Sequence, residues 1–249
     1  MPLPAIGMMF RVAGAFAAVL LLVLAIVMLA DRLEVADGPW RLIASAGVLA
    51  GVPLFVLRKR EAICADLPAA GMQMLLAGVT VGSAMAFIGL QSSAASVLSI
   101  VAVFVAASSE ELVFRVLLPE SFAARVRAGG VARRASVLMG ILLAQAAFAA
   151  GHSVAGIAAN LAIQPIETMR LFVVGIAYSV FRDTLGFWSS AAFHSVVNIL
   201  LAGASMIYVP RSLASSSRGE WCALVVASCA GLLLHWHRER AMHHCQRAT

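Results

Sequence analysis

Ser108-Ser109-Glu110-Glu111-Leu112-Val113-Phe114-Arg115 places two carboxylates and a guanidinium near the end of a long apolar run, and its reading decides the fold. Each charge at the centre of a membrane helix costs about 3 kcal/mol, whereas each Leu, Val or Phe returns only about 0.5, so three charges roughly cancel the apolar drive of the segment. Such a helix must be held by its neighbours. At about 100° per residue, Glu111 and Arg115 fall on one face as an i, i+4 pair, while Glu110 points roughly 100° away from Glu111 and 140° from Arg115. Glu111 therefore has a cation beside it and Glu110 has none of its own, the condition under which a carboxylate can exchange protons as a general acid or base. The same groups also fit an intramembrane salt bridge that only fixes packing, and the choice turns on what else lies at their depth.

Outward from this stretch, the chain of 249 residues is 62% hydrophobic and only 12% charged, with a mean hydropathy of +0.95. A soluble domain carries roughly 25% charged residues, so composition gives a polytopic membrane protein; its apolar runs make the expected class all-α with about eight transmembrane helices, and the polar groups among them point to an intramembrane polar cavity within the bundle. The formal charge of +6 resides in short loops rather than on a basic face interleaved with aromatics, which excludes nucleic acid as a partner and reads as topology. Cys64, Cys222, Cys229 and Cys245 lack metal or redox spacing and read as small packing residues.

In order, the first run, Phe10 to Ala30, is long enough to span and is kept as a helix rather than a cleaved signal. The second, Trp40 to Leu57, stops at Arg58-Lys59-Arg60, and the third, Ala69 to Leu90, carries Gly78 and Gly82 at small-xxx-small spacing. The fourth, Ala94 to Leu118, contains the charged stretch and is expected to end at Pro119, with Glu120 to Arg134 lying on the membrane surface. The fifth is Ser136 to His152, followed by a connector from Ser153 to Pro165. The sixth is Thr168 to Phe181, the seventh Leu185 to Tyr208 and the eighth Trp221 to Trp236. This divides the chain into residues 1–93 (helices one to three), 94–208 (a core of helices four to seven) and 209–249 (polar loop, last helix and tail).

With eight spans both termini share a side. That side holds twelve Lys and Arg residues, among them Arg58, Lys59, Arg60, Arg125, Arg127, Arg133, Arg134 and Arg182; the other holds five, Arg32, Arg41, Arg170, Arg211 and Arg218. The positive-inside rule then puts both termini in the cytoplasm.

Two further i, i+4 pairs set polar groups inside apolar sequence: Phe148 with His152 on the fifth run and His194 with Asn198 on the seventh. Each polar group is expensive in lipid, and meeting one another is the cheapest way to satisfy them. Counted at about 1.5 Å per residue from the expected helix ends, the glutamates lie roughly 12 to 15 Å deep and His194 roughly 14 Å, but His152 comes out at roughly 20 to 24 Å.

Glu110-Glu111-x-x-x-Arg115, Phe148-x-x-x-His152 and His194-x-x-x-Asn198, in this order on successive spans, resemble the CPBP family of intramembrane glutamic endopeptidases, also called the Abi or CAAX-protease family. The resemblance covers about residues 94 to 208. It implies an eight-helix bundle in which Glu110 and His152 activate water while His194 and Asn198 hold the oxyanion, with Glu111 and Arg115 completing the site. Many relatives have Gly after the motif arginine, where this chain has Val116. The implied partners are membrane lipids and a protein or peptide substrate, either lipidated or carrying a C-terminal membrane helix, and the implied location is a bacterial inner membrane.

No cofactor or metal is expected: Glu110, Glu111, His152 and His194 lack the His-Glu-x-x-His arrangement of a zinc helix, and His235, His237, His243, His244 and Cys245 read as a solvated tail. The reading from another class is a non-catalytic scaffold or a proton-coupled transporter that uses the buried carboxylates, although no repeat or paired broken helix is visible.

Overall fold

Every regular element among the described residues is a helix, as lipid requires of backbone that has no water to bond with. The computed structural model describes residues 3–32, 43–49, 51–52, 97–158 and 164–202. The expected third and eighth spans, the four cysteines and the His-rich tail lie outside the described residues, and of the second span only residues 43–49 and 51–52 fall within them, both helical. Among the described residues two helices are long and apolar enough to cross a membrane, Ile6–Met28 with a mean hydropathy of 2.6 and Arg133–Ala158 with 1.6.

Helix α1 (Leu3–Arg32) turns Val12, Ala15, Phe16 and Val19 towards the core and leaves Met9, Phe10, Leu21 and Met28 exposed. The charged stretch ends α2 (Val97–Glu111), which continues through a π-helical turn, Leu112–Leu117, into α3 (Leu118–Ala128). This corrects two expectations. The helix does not end at Pro119, and Glu120 to Arg134 is not a separate surface segment but the last turns of that helix and its hairpin. Proline normally stops a helix because its ring meets the carbonyl four residues back and it brings no N–H. Here the turn before it is widened, the Leu118 N–H bonding to the Val113 carbonyl five residues back, and the helix passes the proline.

A turn at Gly129-Gly130 leads into α4 (Arg133–Ala158), antiparallel to α3. The two lie very close: a side chain at Gly140 would run into the Pro119 carbonyl oxygen and Ala123. Gly140, Ala144, Ala147 and Gly151 form a stripe of small buried residues on α4, the arrangement by which helices pack in lipid through close contact. Against it sits a cluster of Val113, Phe114, Leu118, Phe122 and Phe148. The hairpin also removes the depth conflict. Glu110 and His152 lie about equally far, some twenty residues, on either side of Gly130, so they come level; the earlier count placed the helix end at Leu118 instead of Ala128.

The expected connector Ser153 to Pro165 is shorter than read, since α4 continues to Ala158. Helix α5 (Pro165–Leu185) begins where Gln164 caps it, its backbone N–H donating to Glu167 Oε2 at 3.0 Å, with Pro165 in the first turn where its missing N–H costs nothing. At Gly186 φ is 87° and ψ 171°, a conformation open to glycine almost alone, and it swings the chain directly into α6 (Phe187–Ala202). Helix α6 then packs along α2 and brings its buried face to the glutamates.

Candidate active site

Glu111 is wholly buried and both its oxygens are engaged. Oε1 accepts from His194 Nδ1 at 3.0 Å and lies 3.5 Å from Arg115 Nε; Oε2 accepts from the Ser190 hydroxyl at 2.7 Å. The pairing with Arg115 read from the i, i+4 spacing is present, but as an ion pair rather than a hydrogen bond. No guanidinium nitrogen of Arg115 makes a hydrogen bond among the described residues, and the cation rests on aromatic faces, 4.1 Å from the Phe148 ring centre and 5.3 Å from that of Tyr178. A desolvated guanidinium over such faces gains about 2 kcal/mol from the ring quadrupole, which offsets part of its burial.

Glu110 points elsewhere, about one-fifth exposed, and its Oε2 lies 3.6 Å from His194 Nε2 and 3.8 Å from His152 Nε2. That oxygen accepts no hydrogen bond among the described residues. The tautomers follow from the partners. His152 Nδ1 is 3.0 Å from the Phe148 carbonyl oxygen, which can only accept, so Nδ1 carries a proton and Nε2 is turned to Glu110. His194 Nδ1 donates to Glu111 in the same way, again presenting Nε2 to Glu110. Three helices thus contribute to one point: α2 the carboxylate, α4 one imidazole and α6 the other.

The rings are held as well as placed. His152 packs on Phe148 with ring centres 4.3 Å apart, and His194 stacks on Tyr178 at 4.4 Å and 25°. Phe148 is therefore a shared wall, touching His152, Arg115 and, at 5.4 Å, Phe114. Asn198, one turn beyond His194, is half-buried and makes no hydrogen bond among the described residues.

Sequence reasoning missed Ser190, Tyr178 and Gln145. Ser190 stands four residues before His194, so Ser190, His194 and Asn198 share a face of α6, and extending the His194-Asn198 spacing backwards by one turn would have found it. Gln145 is wholly buried and donates from Nε2 to the Phe114 carbonyl oxygen at 2.8 Å; a lone amide in an apolar run was its only signal.

A cavity of about 340 Å³ lies between α3, α4 and α5, with Val116, Ala123, Ile141, Ser179 and Arg182 in its walls, and it shares only Arg115 with the glutamate site. It does not contain Glu110, His152 or His194, so it is not the polar cavity the sequence led us to expect around them. Among the described residues no three His, Cys, Asp or Glu side chains are arranged to hold a metal ion.

What the arrangement offers chemically is a carboxylate oxygen flanked by two imidazoles beside a second carboxylate already engaged by two hydrogen-bond donors and a guanidinium. Residues 92–200 match the family model for the Rce1-like type II CAAX prenyl endopeptidase. No curated protein and no solved structure matches the chain.

Proposed function

From the match of residues 92–200 to the Rce1-like family model we propose that the chain is a glutamic intramembrane endopeptidase of the CPBP family of CAAX proteases. Its substrate on this reading is a membrane-associated protein, cut near a lipidated C-terminus or beside a C-terminal membrane helix. The observation that carries the proposal is Glu110 Oε2 between the Nε2 atoms of His152 and His194.

In the proposed reaction Glu110, with His152 beside it, takes a proton from water as the water oxygen bonds to the scissile carbonyl carbon. The carbonyl electron pair moves to its oxygen, which receives hydrogen bonds from His194 Nε2–H and the Asn198 amide. Donation from Nε2 while Nδ1–H stays on Glu111 requires protons on both nitrogens of His194. Glu110 is neutralised as the oxyanion forms, so the net charge of the site is unchanged and one negative charge moves from the Glu110 carboxylate to the oxygen that faces His194. Collapse breaks the C–N bond, and Glu110 returns its proton to the leaving amine. Glu111, Arg115 and Ser190 touch no reacting atom in this scheme and act as positioning residues for His194.

The test is hydrolysis of a fluorogenic peptide with a lipidated C-terminus by the detergent-purified protein and by Glu110→Gln. Cleavage by the parent chain and its loss in the variant are expected. Equal rates in the two would overturn the proposal, and an inert parent that instead moves protons in vesicles would favour the transporter reading.

A further inference from the structure

Gln145 is a wholly buried amide that the proposed reaction leaves unused, and the backbone beside it points to what it is for. Through the π-helical turn each N–H bonds to a carbonyl five residues back, as Leu118 does to Val113. The next pair in that ladder would be residue 119 with the Phe114 carbonyl, but residue 119 is proline and has no N–H to give. The carbonyl is buried, and an unpaired one costs about 1–3 kcal/mol. Gln145 Nε2 donates to it at 2.8 Å. Since a carbonyl only accepts, the amide is turned with nitrogen towards Phe114, which aims Oε1 at Gly175, where a Cβ would come within 2.6 Å of it.

Gln145, Phe148 and His152 share a face of α4, spaced three and four residues apart. The bond from Gln145 thus pins that face to the turn immediately following Glu110 and Glu111. Sliding α4 by one residue would move His152 by about 1.5 Å, enough to part it from Glu110. We propose that Gln145 is a positioning residue: it supplies the donor that Pro119 withholds and so fixes the axial register of His152 against Glu110. The register role rests on the proposed peptidase reading, whereas the donor role does not.

Two measurements on the full-length protein in detergent test the two roles. The first is a cycle of thermal unfolding with Gln145→Met, Pro119→Ala and the double variant. Methionine keeps the length of glutamine and removes its donor, and alanine at 119 brings back an N–H. The packing of Phe114, Val116 and Leu117, all buried, holds the widened turn in place, so that N–H faces the Phe114 carbonyl. Gln145→Met should lower the melting temperature by several degrees in the parent and by less than half as much when alanine stands at 119. Equal losses in both backgrounds would overturn the donor role. The second is peptide hydrolysis per folded molecule. In Gln145→Met kcat should fall about tenfold with KM within twofold, and the double variant should stay as low, because the N–H of alanine at 119 satisfies the Phe114 carbonyl without tying α4 to it. Unchanged kcat in the folded variant, as a merely structural glutamine would give, would overturn the register role. A parent chain that cleaves nothing defeats the peptidase reading instead, and the unfolding cycle still decides the donor role.

Discussion

Replacing Glu110 by glutamine keeps size and polarity but removes the proposed proton acceptor, so kcat should fall by a factor of about 100 or more while the protein still accumulates. Glu111→Gln is a different lesion. It leaves Arg115 buried without its counter-charge, a defect of roughly 3 to 5 kcal/mol, and should appear first as low abundance. Changing both partners, Glu111→Gln with Arg115→Met, should recover abundance above either single change without restoring activity, which immunoblotting and turnover per folded molecule would separate. Ser190→Ala frees Glu111 Oε2 from its donor and should lower kcat about tenfold with KM nearly unchanged; a rise in KM alone would place Ser190 at the substrate instead. These residues were unequally legible. Three charges in an apolar run are too costly to be incidental, and the 100° step separated Glu110 from the Arg115 pair. Ser190 gave no such signal, because a hydroxyl in a membrane helix can bond to its own backbone, as Ser195 does to Ala191 at 2.6 Å.

At the scale of the element, Pro119 was read as a stop because the rule for proline describes an α-helix, and a widened turn with an outside donor suspends it. Nothing local announces that donor, Gln145, which stands 31 positions beyond the Phe114 carbonyl it serves. The error propagated: ending the helix early put the glutamates too near the membrane surface and left His152 seemingly too deep. The small residues of α4 were visible as composition, but their function depends on which helix faces them. Gly140 faces the Pro119 carbonyl, so Gly140→Leu should force α3 and α4 apart at a cost of about 1–3 kcal/mol and lower the melting temperature in detergent. The same change at Gly7, where a side chain would meet nothing within 4 Å, serves as the control and should leave the melting temperature in place.

For the whole molecule, the described helices sort the arginines by end. Met8 of α1 abuts Gly129 at the hairpin apex, and Arg182 of α5 borders the same cavity as Arg127. The apex end therefore gathers Arg11, Arg125, Arg127, Arg133, Arg134 and Arg182, while Arg32 and Arg170 fall at the other. Reporters fused after Arg60 or within Glu120 to Arg134 should read cytoplasmic, and those after Asp37 or within Arg211 to Glu220 external; the reverse pattern would turn the proposed site to the outer face. Hydrolysis should also survive strong chelators and reagents aimed at serine or cysteine nucleophiles. Loss with chelator and recovery with zinc would replace the water-activating glutamate by a metal.

The hairpin at Gly129-Gly130 also imposes a schedule on biogenesis. Glu110 and His152 belong to one pair of helices that leaves the ribosome together, yet Glu111 gains His194 and Ser190 only after α6 has followed. Until then its carboxylate has Arg115 alone, in a membrane where a half-satisfied charge is a liability. A nascent chain stopped before Phe187 would thus expose a defect that quality-control proteases can recognise, and α6, the last of the described helices to arrive, is the one that both completes the proposed site and makes it safe to keep.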